Sequence, residues 1–250
     1  MQRVVLLAPE VTVALDAGGF ASLSMDGFAQ QRLYSQWIGG GEGMGVCVLD
    51  SEGRVYAARP GPQDPPELAA FLRLCASRRQ QVLQLRAALA RAPVDGKANL
   101  ALGCALLDLG CRVGTEDLLV RAAQAGEVDA NHRLARLFAL DGRCERARQW
   151  LRAALPSAAA DVTLGYVLFK ERKHVEAATL LAGPARDPAL GDEALRARLY
   201  LGKALHECGR DAEARVVLQS LAQDASDSIF GASALHSLTH LDDKDHGHTH

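Results

Sequence analysis

The chain has 250 residues and a formal net charge of −2, with 48% hydrophobic, 23% charged and 5% aromatic residues. This is the composition of one large or two small globular domains, rich in the Ala and Leu that favour helices. The near-neutral balance excludes the basic footprint of a nucleic-acid binder, and no stretch approaches the ~20 apolar residues that cross a bilayer.

The opening MQRVVLLAPE carries too short an apolar run for a secretory signal. Six cysteines in a chain of this length do not make a disulfide scaffold. A cytoplasmic protein is the expectation. Residues 20–26 (FASLSMD) have strand length and end at a glycine. Residues 28–38 (FAQQRLYSQWI) have a helical pattern with Phe28, Leu33, Trp37 and Ile38 turned inward, stopped by Gly39-Gly40-Gly41. Residues 45–50 (GVCVLD) and 54–59 (RVYAAR) are two short strands joined through Ser51-Glu52-Gly53, a spacing that predicts a hairpin. After the Pro-rich stretch 59–66, Pro65 and Pro66 open a helix carrying Leu68, Phe71, Leu72 and Cys75. It leads through residues 67–92, with a break expected near Arg78-Arg79.

The order strand, helix, hairpin, helix resembles the C-terminal half of a thioredoxin-like domain, on FASLSMD, GVCVLDSEGRVYA and PPELAAFLRLC. Two departures bear on function. That family carries Cys-x-x-Cys at the start of a helix, and the motif occurs nowhere in this chain. It also places a cis-proline before the first hairpin strand, where alignment on Asp50 and Gly53 puts Met44. Two explanations of the beginning stand side by side. Either Val4–Leu7 is the central strand and residues 9–17 a shortened helix, or Met1 lies within the redox helix and the Cys-x-x-Cys is encoded upstream.

Beyond residue 95 a register repeats. Its origins are small residues following Leu: Gly103, Ala135, Gly165 and Gly202, which lie 32, 30 and 37 residues apart. Three positions on is a large apolar group (Leu106, Phe138, Leu168, Leu205), and seven on is a turn (Gly110, Gly142, Arg172, Gly209). Twelve on come Thr115, Ala147, Ala177 and Ala214, and sixteen on come Leu119, Leu151, Leu181 and Leu218. Small residues on both helices of a pair let the backbones approach while large ones fill the groove. The pattern resembles the tetratricopeptide repeat (TPR), a helix–turn–helix unit of about 34 residues, over roughly residues 96–225. Residues 227–241 are amphipathic and suit a terminal cap.

Candidate chemistry is sparse. Cys47, Cys75, Cys104, Cys111, Cys144 and Cys208 show no redox spacing and read as small apolar residues or surface thiols. His236 and His240 share a helical face, and His246, His248 and His250 follow among Asp242, Asp243 and Asp245. A polar tail binding metals weakly is the plainer reading, and no metal ligand set or cofactor is assigned. Gly39-Gly40-Gly41-Glu42-Gly43 lacks the Lys-Ser/Thr of a phosphate loop, and neither Gly-x-Ser-x-Gly nor His-Glu-x-x-His occurs. No catalytic residue is expected.

The TPR resemblance implies a concave groove lined by the first helix of each repeat. Carried onto this register, its lining includes Arg136, Tyr166, Phe169, Lys170, Lys203 and His206. Cys104, Leu107, Asp108, Ala139, Leu140 and Glu207 fill the remaining positions. The asparagines of the chaperone-tail carboxylate clamp are missing.

The expectation is an α+β, partial thioredoxin-like domain (1–77), an all-α TPR superhelical solenoid (78–241) and a His/Asp-rich tail (242–250). The same domain order occurs in chaperedoxins. The expected function is a non-catalytic interaction module, a scaffold or holdase-like co-chaperone, gripping a protein or peptide and neither nucleic acid nor membrane. The alternative is a thiol–disulfide oxidoreductase whose Cys-x-x-Cys lies upstream of Met1.

Overall fold

The computed structural model describes residues 7–24, 29–38, 44–154 and 156–245, the last four through their backbone only. Among them are twelve α-helices and one two-stranded sheet, so the chain is mostly helical. It divides into two compact units, Met1–Asp141 and Gly142–His250.

The first unit opens with α1 (Pro9–Gly18), which buries Val11 and Ala14, and α2 (Gln31–Trp37). Residues 20–24 form no strand, contrary to the pattern of FASLSMD, whose last residues lie outside the described ones. Val4–Leu6 of the expected central strand and the glycine run 39–43 lie outside them too, and Leu7 is in a turn. The hairpin forms as expected. β1 (Gly45–Leu49) and β2 (Val55–Pro60) are antiparallel, Cys47 pairing with Ala58 and Leu49 with Val55 across a bulge. Asp50 builds the turn: its carboxylate accepts the backbone N–H groups of Glu52 and Arg54 at 3.0 Å each. Gly53 supplies the left-handed residue (φ 76°) that the turn requires.

Helix α3 (Pro65–Arg91) starts at a proline suited to the first turn and runs unbroken for 27 residues. No break occurs at Arg78-Arg79, so the expected boundary at residue 77 falls inside this helix. Its N-terminal half buries Leu68, Phe71, Leu72 and Cys75, and α1 packs on it. Its later part reaches the hairpin through Arg86, whose guanidinium donates to Asp50 at 2.5 Å and to the Val55 carbonyl at 2.8 Å. The Asp50 side chain is only 3% exposed. A buried carboxylate needs such partners, since an unpaired one would cost several kcal/mol.

Helices α4 (Gly96–Asp108), α5 (Thr115–Gln124) and α6 (Asp129–Leu140) complete this unit. Asp95 caps α4 by accepting from the N–H groups of Lys97 and Ala98. The end of α4 docks on the hairpin: Ala58 N–H donates to the Leu109 carbonyl at 3.0 Å. A Cβ at Gly110 would lie 2.2 Å from the Ala58 oxygen, so only glycine allows this approach.

The second unit holds α7 (Cys144–Ala153), α8 (Ala158–Lys170), α9 (His174–Leu181), α10 (Asp192–Glu207), α11 (Asp211–Asp224) and α12 (Ile229–Asp245). Each packs on the next, and α10 also touches α8 and α12. The longest interval between origins is filled by two 3-10 turns, Pro184–Arg186 and Pro188–Leu190, ahead of a lengthened α10. Ala177, Leu205, Ala214, Leu218, Leu221, Phe230 and Leu241 form the main core, which α12 closes.

The register is visible atom by atom. A Cβ on Gly103 would stand 2.8 Å from Leu119, one on Gly165 2.5 Å from Leu181, and one on Gly202 2.6 Å from Leu218. Each is the origin against the residue sixteen on. Thr115, Ala147, Ala177 and Ala214, twelve on, are all fully buried. The residues seven on are all left-handed, with φ of 71° at Gly110, 73° at Gly142, 62° at Arg172 and 74° at Gly209. The turns at Gly110, Arg172 and Gly209 close by paired backbone bonds, for example Gly209 N–H to His206 and Arg210 N–H to Leu205. Such pairing satisfies carbonyls that the end of a helix would otherwise leave open.

Candidate functional site

The expected groove residues fall in both units. In the first, Arg136 on α6 is 8% exposed and donates to the Asp108 carboxylate on α4 at 2.9 Å, beside Arg133 at 3.3 Å. Leu107 and Ala139 are buried, while Cys104 and Leu140 are half-buried. Arg136 is therefore a helix-to-helix tie, and its charge is already partnered.

In the second unit, α8 and α10 bring aromatic side chains together. The Tyr166 and Tyr200 rings lie 4.5 Å apart at 41°, and Phe169 stands 6.0 Å from Tyr200. His174, the first residue of α9, meets Phe169 edge-on at 5.3 Å. The Lys170 ammonium sits 5.7 Å from the Tyr166 ring centre, one helical turn on, and its side chain is exposed. The charge is drawn to the negative ring face, which sets it at the rim of the cluster. Tyr166 itself is only 7% exposed, so its role is to fill the space between α8 and α10. Phe169, Tyr200, His174 and Lys203 are half-buried, and they present the accessible part of the surface with Lys170. His206 holds Asp211 through Nδ1 at 2.6 Å, tying α10 to the start of α11.

Tyr200 and His174 are absent from the groove positions read from the register. Tyr200 lies three residues before Lys203, so the two share a face of α10 and spacing alone could have found it. His174 is set by the turn after the left-handed Arg172, which no helical period describes.

Cys47, Cys75, Cys104 and Cys111 lack the surroundings of a redox nucleophile. Burial pushes the Cys75 thiol up to about 12 and that of Cys111 up to about 11, and raises Cys47 and Cys104 as well. A reactive cysteine needs the opposite shift. Cys47 and Cys111 also flank β2 on opposite edges: Cys47 pairs with Ala58 through β1, while Ala58 N–H turns away to Leu109. All six cysteines are free. Among the described residues no three His, Cys, Asp or Glu side chains gather as a metal site, and no helix is long and apolar enough to cross a membrane.

Searches against protein-family models, curated proteins and solved structures find no match to this chain.

Proposed function

We propose that this chain is a non-catalytic protein-interaction module: a TPR-type helical repeat joined to a degenerate thioredoxin-like N-terminal part. The observation that carries the reading is the recurrent contact between each origin glycine and the leucine sixteen residues on, with a left-handed residue at each seventh position. That interlock is what a stacked helix–turn–helix repeat requires. The binding surface in this reading is the aromatic and cationic face of α8 and α10, formed by Phe169, Tyr200, Lys170 and Lys203. Half-buried aromatic groups beside a cation suit an extended peptide with apolar and acidic side chains, and aromatic residues are frequent binding hot spots. Scaffolding or holding of client proteins, in the cytoplasm, belongs to the same proposal. So does a redox-inactive hairpin part, which the buried, proton-retaining thiols support.

Site-specific photo-crosslinking tests it in the full-length chain, inside the cells that make it. A photoreactive residue replacing Lys170 or Lys203 should give a discrete protein adduct. The same residue at Thr179, exposed on α9, should not. Reversing the charge with Lys203→Glu should weaken the adduct formed from position 170. Equal labelling from all three positions, or none, would remove the groove assignment.

A further inference from the structure

We propose that β1 is a docking edge for a second copy of this chain, the two β1 strands joining antiparallel into one four-stranded sheet. β2 is covered on its far side, where Ala58 N–H donates to the Leu109 carbonyl and the Val55 carbonyl accepts from Arg86. β1 has no such cover: among the described residues its only strand neighbour is β2.

The register identifies the backbone groups left over. In an antiparallel pair, opposed residues alternate between exchanging both backbone bonds and exchanging none. Ala58 turns its N–H away from β1, so Cys47, which stands opposite, is of the second kind. Gly45 and Leu49, two residues to either side, share its orientation. The phase is the same at both ends of the strand. Gly61 N–H donates inward to the Met44 carbonyl at 2.8 Å, and Val55, opposite Leu49, turns its carbonyl outward to Arg86. Gly45, Cys47 and Leu49 therefore point their N–H and C=O groups off the open edge, where no hydrogen bond to the rest of the chain uses them.

That row complements itself. About a two-fold axis at Cys47, each copy's Cys47 exchanges both bonds with the other's, and each copy's Gly45 does so with the other's Leu49. Every outward donor and acceptor is then satisfied, and the two-fold closes the assembly as a dimer. Val46 falls opposite the second copy's Val48 at the close, non-bonded spacing, where β-branched side chains pack well. Gly45 against Leu49 sets a residue without a side chain beside a large one. The strand GVCVL carries neither charge nor proline, the usual means by which an exposed edge repels an added strand.

Sedimentation equilibrium of the full-length chain at micromolar concentration tests this, with a dimer expected. Cys47→Lys places like charges opposite each other on the axis and should weaken the dimer by about tenfold or more. Cys47→Glu should do the same, and mixing the two variants should restore the dimer. Val46→Cys mixed with Val48→Cys should form an interchain disulfide under mild oxidation, because Cα atoms opposed there lie about 4.5 Å apart. Neither of those two variants should form it alone. This second experiment leaves Cys47 in place, so it decides the question if the charged variants fail to fold. A monomeric parent chain would overturn the proposal. So would a dimer that both charged variants leave intact, or a mixture that forms no disulfide, since either result puts the contact on another surface.

Discussion

Gly165→Ala sets helix propensity against packing, and the structure indicates that packing wins. In an exposed helix interior the change would stabilise by about 0.8–1 kcal/mol, because alanine loses less backbone freedom than glycine. Here the new Cβ would lie 2.5 Å from Leu181 Cδ2, 2.6 Å from Cγ and 3.2 Å from Cδ1. Rotation about the last side-chain torsion moves the two methyls but not Cγ, so relief requires α9 to shift or Leu181 to change its first torsion. Leu181 is fully buried with Val162 and Ala197, so no space awaits it. Overpacking of this kind costs about 1–3 kcal/mol, which offsets the propensity gain and leaves a net destabilisation of up to about 2 kcal/mol. Leu181→Ala alone should cost about 2–5 kcal/mol through the cavity it leaves. In the double variant the new methyl occupies part of that cavity, so the double should be more stable than the sum of the singles by about 1 kcal/mol or more. Urea unfolding followed by far-ultraviolet circular dichroism, with Trp150 emission reporting on the second unit, measures all four corners of the cycle. If Gly165→Ala stabilises by the full propensity gain, or the two changes simply add, the interlock is not what holds α8 to α9.

Two further outcomes follow from single residues. Arg172 is the only described non-glycine residue with positive φ, at 62°, a conformation that costs an L-residue roughly 1–2 kcal/mol. Arg172→Gly removes that strain at some cost in chain entropy, so it should stabilise by about 0.5–1 kcal/mol and raise the melting temperature; a lower one would refute the argument. Glu171 is held down to about 2, first by the Arg148 hydrogen bonds at 2.8 and 2.5 Å against opposing burial, then by Lys173. A carboxylate depressed in the folded state stabilises above its unfolded value near 4.5 and loses that contribution as pH falls toward 2. The half-open surroundings of the pair reduce the effect to about 1–2 kcal/mol. Glu171→Gln should therefore be less stable than the parent at pH 7, and the gap should close between pH 4.5 and 2; a gap constant with pH would exclude the pair as its source.

The sequence was most informative where one residue decides the geometry. Glycine at the origins Gly103, Gly165 and Gly202 is legible because a Cβ there would meet the leucine sixteen residues on, and the small residues twelve on are legible because all four are fully buried. The turn positions are legible because Gly110 and Gly209 are left-handed, and the register placed a turn at Arg172 as well, where the structure finds the same conformation in a non-glycine residue. The hairpin was readable from Asp50 and Gly53 for a related reason, since the turn uses both chemically. Residues 20–24 misled because strand length and a following glycine cannot supply a partner strand, and no ladder forms there. The unbroken α3 was hidden by a pair of arginines that look like a solvated break. One of them, Arg79, instead donates to the Gly18 carbonyl at 2.7 Å and stacks on Phe20, holding α1 against α3. The aromatic face was half legible: Tyr166 and Phe169 lay at groove positions, but burial of Tyr166 passes the accessible role to Tyr200.

The same contacts show why the N-terminal part is not an appendage to the helices after it. A separable domain would meet its neighbour through exposed, water-filled contacts and a polar linker. Here the connection is α3 itself, continuous from the hairpin's core to the first helix pair. The hairpin's outer edge is satisfied by the backbone of Leu109, its turn by Arg86, and its second strand by the Cys111 thiol against the Val55 carbonyl. Gly110 serves both neighbours at once: its left-handed conformation ends α4, and its missing side chain admits the Ala58 carbonyl. A side chain there would disturb the helix turn and the strand edge in the same step. The two-stranded sheet thus borrows its third neighbour from the helical part, and the first helix pair is capped by the hairpin.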